Sequence, residues 1–142
     1  MDNKNFSLNA IFFGIVIQIV GSITISIIIS AITRTVLTGR GYEEAEIKQF
    51  FISQFNSVPF MIAGIMPNFL MAAVAGYIVA KSANKLEYWH ALIAISIVAL
   101  VYYGPAIGKA PGWFSALSIS GLMFAALSGA GIYKKRKQPN DR

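Results

Sequence analysis

The feature that most constrains this chain is where its charges are missing. No Asp, Glu, Lys or Arg occurs from Asn5 to Thr33, from Gln49 to Ala80, from Tyr88 to Gly108, or from Ala110 to Tyr133. A helix that crosses the hydrocarbon core of a bilayer needs about 20 predominantly apolar residues, and each window can supply one. Composition points the same way. Of 142 residues, 56% are hydrophobic and only 13% are charged, whereas a soluble domain carries about 25% charged residues. A chain of this size has too little interior to keep so much apolar surface from water. The spacing predicts an all-α, polytopic membrane protein forming a single membrane domain over 1–142. Its four transmembrane helices are expected near 9–33, 57–80, 89–106 and 113–133.

A β-barrel would need segments of roughly 10 residues that alternate in hydrophobicity. The stretches "IIISAI" (27–32) and "FLMAAVAG" (69–76) do not alternate. The first apolar segment is longer than the roughly 7–15 residues of a signal-peptide core, so it is expected to be an uncleaved span. With no cysteine, the chain offers no disulfide framework, thiolate chemistry or iron–sulfur ligation.

Orientation follows the Lys and Arg count in short loops. Four helices put the N-terminus, the middle loop and the C-terminus on one side. That side holds eight basic residues: Lys4, Lys81, Lys85, Lys134, Lys135, Arg136, Lys137 and Arg142. The other side holds four: Arg34, Arg40, Lys48 and Lys109. Both termini are therefore expected in the cytoplasm. The run Lys134, Lys135, Arg136, Lys137 reads as the cytoplasmic basic anchor, attracted to anionic lipid by about 1 kcal/mol per basic residue near the surface. No folded basic surface with interleaved aromatics accompanies it, so the net charge of +6 implies no nucleic-acid partner. Tyr88, Trp89, Tyr102, Tyr103, Trp113 and Tyr133 fall at span ends, where Tyr and Trp favour the headgroup level.

The outer loop "RTVLTGRGYEEAEIKQFFISQFN" (34–56) differs from the other loops. Gly39-Arg40-Gly41 signals a turn. Glu43, Glu44 and Glu46 suit the positive end of a helix dipole, and Glu44 and Lys48 are spaced i, i+4. Ile47, Phe50, Phe51 and Phe55 share one face at helical spacing. A short amphipathic extracytoplasmic helix is predicted over about 43–55, lying in the interface or offering a docking face or lid.

All six acids, Asp2, Glu43, Glu44, Glu46, Glu87 and Asp141, lie in loops or termini. Carboxylate-driven proton coupling within the spans is thus not expected. His90, the one histidine, follows Trp89 and reads as an interfacial anchor. No metal site can be assembled around it. Counting to mid-depth in each span gives a candidate polar cluster of Gln18, Ser22, Asn68, Ser96 and Ser120. It is either hydrogen-bonding glue between helices, worth roughly 0.6–2 kcal/mol per bond, or the lining of a small polar path. Pro67 removes a backbone donor and predicts a kink in the second span. Small residues recur every four positions: Gly14, Ser22, Ser26 and Ser30 (with Gln18 between), Ala72, Gly76 and Ala80, and Gly121, Ala125 and Gly129. That spacing lets helix backbones approach closely.

No catalytic constellation, paired carboxylates or phosphate-binding loop is present, and no cofactor is implied. At "AGYIVAKSANKLEYWHAL" (75–92) the chain resembles a group of small four-helix bacterial inner-membrane proteins. These carry a Gly-Gly-Tyr-(Ile/Val)-x-Ala stretch, a basic turn, and His-(Gly/Ala) opening the third helix. Gly76, Tyr77, Ile78 and Ala80 match the first part, with Ala75 a small departure from the first glycine of the pair, and His90 and Ala91 match the second. The resemblance implies the topology and no activity. The expectation is a non-enzymatic accessory or structural membrane component, whose partners are the lipid bilayer and a second copy or another membrane protein. The alternative is a small oligomeric carrier or channel for a neutral or weakly polar solute.

Overall fold

The computed structural model describes residues 7–54, 57–83, 85–106 and 110–137, and they form helices and turns only. In chain order the helices are α1 (Leu8–Gly39), α2 (Glu44–Gln54), α3 (Val58–Ser82), α4 (Glu87–Tyr103) and α5 (Gly112–Lys137), with a 3-10 turn at Gly104–Ala106 after α4. Three of them, α1, α3 and α5, are long and apolar enough to cross a membrane, while α4 is a shorter apolar helix of 17 residues. Phe55, from the predicted face of the outer helix, lies outside the described residues, as do Lys4, Lys109 and Arg142 from the charge count.

Each helix end has a local cause. Ser7 caps α1: its hydroxyl accepts the Ala10 N–H at 3.3 Å, satisfying one of the orphan donors of the first turn. At the other end α1 runs six residues beyond the expected boundary at 33, to Gly39. It stops there because Gly41 takes φ +88°. The Gly41 N–H bonds Thr38 O at 2.9 Å and the Tyr42 N–H bonds Leu37 O at 3.2 Å, the paired bonds of a Schellman ending. The predicted turn is therefore the C-cap of a helix of 32 residues, about 48 Å long at 1.5 Å per residue. In α2 the Glu46 carboxylate accepts the Glu43 N–H at 2.8 Å, half of a capping box. An exposed ion pair of Arg34 with Glu44 ties α2 back to α1, and Ile47 and Leu37 are the buried residues of that corner.

Pro59 occupies the first turn of α3, where a missing N–H is tolerated. The helix continues through Pro67, which is buried. The expected third span ends as a helix at Tyr103, three residues early, and residues 104–106 tighten into the 3-10 turn containing Pro105. The basic run does not leave α5 as a free tail: Lys134 to Lys137 form its last turn, where cations suit the negative end of the dipole.

α3 and α4 stand between α1 and α5: each packs on both, and α3 makes its most extensive contact with α5. Two apolar clusters hold the helices together. One joins Ala10, Ile11, Val79, Ala80, Ala91, Ala94 and Ala130. The other joins Ala72, Ile95, Val98, Leu122 and Ala126. Burial is graded along the helices. In α1, after Ser22 nothing is buried until Leu37; in α3 nothing is buried before Ile65; in α4 nothing after Ala99; and in α5 nothing before Ser118. These bare stretches all lie at the end of the molecule that carries α2. The opposite end, where α1 begins and α5 finishes, is closely packed.

Candidate functional site

Gln18 is the most buried large polar side chain of α1, at 1% exposed. Its amide Nε2 donates to Ser22 Oγ and to the backbone carbonyl of Asn68, each at 3.1 Å. The second partner orients the amide, because a carbonyl oxygen can only accept. Gln18 thus latches α1 to α3. Asn68 contributes its main chain to the latch; its own Nδ2 donates back to Gly64 O at 3.2 Å within α3. Gln18 Oε1 points into the protein and has no hydrogen-bond partner.

The predicted polar cluster is therefore narrower than the sequence suggested. Gln18, Ser22 and Asn68 come together. Ser120 does not join them: it is exposed, and its hydroxyl donates to Ala116 O at 2.7 Å on its own helix. The serine that α5 buries is Ser118, at 0% exposed. Ser96 on α4 is half-buried and lines neither of the two spaces around Gln18. The first is an open groove of about 380 Å³ beside α1, walled by Ser22, Ser26, Ser30, Asn68 and Tyr102 with Ile23 and Ile27. Among the described residues its walls carry hydroxyl and amide groups and no formal charge. The second is a small, partly closed cavity of about 10 Å³ lined by Gly14, Gln18, Gly76, Val79, Ala94 and Val98, among others.

The small-residue positions form the α3–α5 contact. A Cβ on Gly76 would stand 2.0 Å from the backbone oxygen of Ala126, and one on Gly129 would stand 1.9 Å from that of Ala73. The two helices meet main chain to main chain. Ala72 and Ala80 are fully buried. Gly121 is spaced from α3 by the Phe69 ring, and Ala125 is half-buried beside the second cluster.

His90 departs most from its expected role. It is no interfacial anchor; it is fully buried. Its Nε2 accepts the Ser7 backbone N–H at 2.8 Å, and its Nδ1 lies 2.9 Å from Leu86 O. Because Nε2 accepts from a main-chain donor, the proton must sit on Nδ1, where Leu86 O receives it. The imidazole pins the start of α1 to the start of α4. Leu86 itself holds φ +56°, a left-handed conformation that costs a non-glycine residue about 1–3 kcal/mol. The bonds that His90 makes to its carbonyl help to hold it. Around this corner, Lys134 Nζ lies 5.2 Å from the centre of the Tyr88 ring and Lys137 Nζ lies 3.9 Å from Glu87 Oε1. Two of the four basic residues of the run are thus engaged with α4. Sequence reasoning missed this corner because only the fold brings Ser7 to His90, 83 positions apart.

Among the described residues no three His, Cys, Asp or Glu side chains gather as metal ligands would. No family model matches the chain, and neither a curated protein nor a solved structure matches it.

Proposed function

We propose that this is a four-span protein of the bacterial inner membrane, with both termini cytoplasmic. On this reading it serves as a non-enzymatic accessory or structural component, acting through helix packing and contacts with other membrane proteins. The fourth span is α4. Its 17 residues cover about 26 Å at 1.5 Å per residue, and the 3-10 turn lengthens it toward the roughly 30 Å of the hydrocarbon core. Tyr88 and Trp89 at one end and Tyr102 and Tyr103 at the other supply interfacial anchors. The observation that carries the accessory reading is the backbone contact of α3 with α5 at Gly76 and Gly129. Together with the small space of about 10 Å³ beside Gln18, it supports a role in packing over one in holding a solute.

Orientation is testable because the chain has no native cysteine. Single substitutions Lys85→Cys, Lys137→Cys and Arg40→Cys would be probed in intact cells with a membrane-impermeant maleimide. Labelling of Arg40→Cys alone is expected; the opposite pattern inverts the topology. The role is tested by native mass spectrometry of the protein released from its own membrane. A bare monomer or a complex with another protein supports the accessory role.

One observation favours a second reading, a small oligomeric carrier or channel. The uncharged groove of about 380 Å³ has the volume of a small-molecule site and its hydrogen-bonding groups suit a neutral solute. A discrete symmetric oligomer in the same experiment supports this alternative, as does loss of transport in Gln18→Leu or Asn68→Leu with assembly intact.

A further inference from the structure

Gln18 lies between the two spaces. The groove and the cavity follow one order on three helices. On α1 the groove uses Ser22 to Ser30 and the cavity uses Gly14 and Gln18; on α3 they use Asn68 and then Ala75 to Val79; on α4 they use Tyr102 and then Ala91 to Val98. The groove opens at the α2 end and the cavity lies beneath it. The Gln18 amide nitrogen is bonded to Ser22 and to Asn68, both walls of the groove, and its side chain forms part of the cavity wall. At the far end of the cavity, the residue before Ala91 is His90, fully buried and bonded to Ser7.

The enclosed Gln18 Oε1 is an acceptor without a donor, an arrangement rare in protein interiors unless an ordered water completes it. A cavity of about 10 Å³ is at the threshold for one water molecule. The chemistry of the walls defines the guest. It must donate a hydrogen bond, because the open position is an amide oxygen. An uncharged guest suits it, because among the described residues no charged side chain lines either space.

We propose that Gln18 is the plug of a closed passage for water-sized, uncharged hydrogen-bond donors, with one water held at its Oε1. The passage is shut by the Gln18 latch. This deepens the carrier or channel reading, and it rests on the four-span arrangement for its direction.

Two measurements test it. In the wild-type protein, isotope-labelled and held in lipid nanodiscs, the side-chain amide protons of Gln18 should show a magnetisation-transfer peak to a long-lived water. A dry cavity, with the amide assigned and no such peak, overturns the bound water. The second uses the purified full chain in proteoliposomes, followed by light scattering after an osmotic step. Gln18→Ala should speed water flux severalfold over wild type while trapped glucose is retained. Gln18→Leu, which restores the bulk without the hydrogen bonds, should pass no more water than wild type. An unchanged rate in Gln18→Ala overturns the plug, and so does a leak that passes glucose as readily as water. Neither measurement depends on which way the chain sits, so failure of the topology is distinguishable from failure of the plug.

Discussion

Gly76→Ala is the sharpest perturbation of the fold, and Gly64→Ala is its control on the same helix. Both replacements gain the same helix propensity, up to about 1 kcal/mol, so that contribution cancels between them. They differ in what the new methyl meets. At Gly64 nothing lies within 4 Å. At Gly76 the methyl carbon would stand 2.0 Å from Ala126 O, and an ordinary contact begins at 3.4 Å. The two backbones must therefore part locally by about 1.4 Å. The obstacle is main chain on a helix and cannot rotate aside, unlike the flexible Met71 side chain that faces Gly21. Overpacking of a tight contact typically costs about 1–3 kcal/mol. Gly76→Ala should thus be less stable than Gly64→Ala by that amount, with Gly21→Ala between them. The assay is unfolding in mixed micelles with rising sodium dodecyl sulfate, followed by circular dichroism. If Gly76→Ala and Gly64→Ala agree within about 0.5 kcal/mol, the range of a neutral surface change, the backbone contact of α3 with α5 is refuted.

Further outcomes follow from other contacts. Gln18→Leu should cost roughly 0.6–2 kcal/mol in the same assay. Asn68→Leu should cost less, because the latch uses the Asn68 carbonyl and not its side chain. His90→Ala removes the acceptor of the Ser7 N–H. It should destabilise the protein by about 1–3 kcal/mol, the cost of a buried donor left unsatisfied, and speed hydrogen exchange at Ser7 and the first turn of α1. Arg34→Gln should leave stability unchanged within error, because both partners of its ion pair are largely exposed and such pairs contribute little. Replacing Lys134, Lys135, Arg136 and Lys137 together by Gln should weaken the cytoplasmic preference of the C-terminus, read by reporter fusions.

The helices were legible from charge spacing because a charge-free window of 20 or more residues has one economical way to satisfy its backbone. Their ends were less so. Arg34 marks where apolar composition stops, but α1 ends only where Gly41 adopts a left-handed backbone. Depth along a helix was also readable, whereas rotation about its axis was not. Ser118 and Ser120 are neighbours in depth, yet two residues turn the helix by about 200°, which buries one and exposes the other. The spans are apolar all round, so no polar stripe marked which face turns inward. His90 was misplaced for a different reason. A histidine beside Trp89 looks interfacial until the start of α1 covers it and supplies a donor.

The gradient of burial has a mechanical consequence. Near the termini, α1 is clamped by Gly14, Gln18 and the His90–Ser7 bond. Past Ser22 it runs without a buried contact until α2 meets it at Leu37. A beam clamped along one half and held only at its far tip is compliant in between, and α1 is such a beam, about 48 Å long. In a bilayer, lateral pressure on that lightly held stretch would bow it against α3, while the clamped half would keep its cross-section. The width of the groove between them would then vary with the tension of the surrounding lipid.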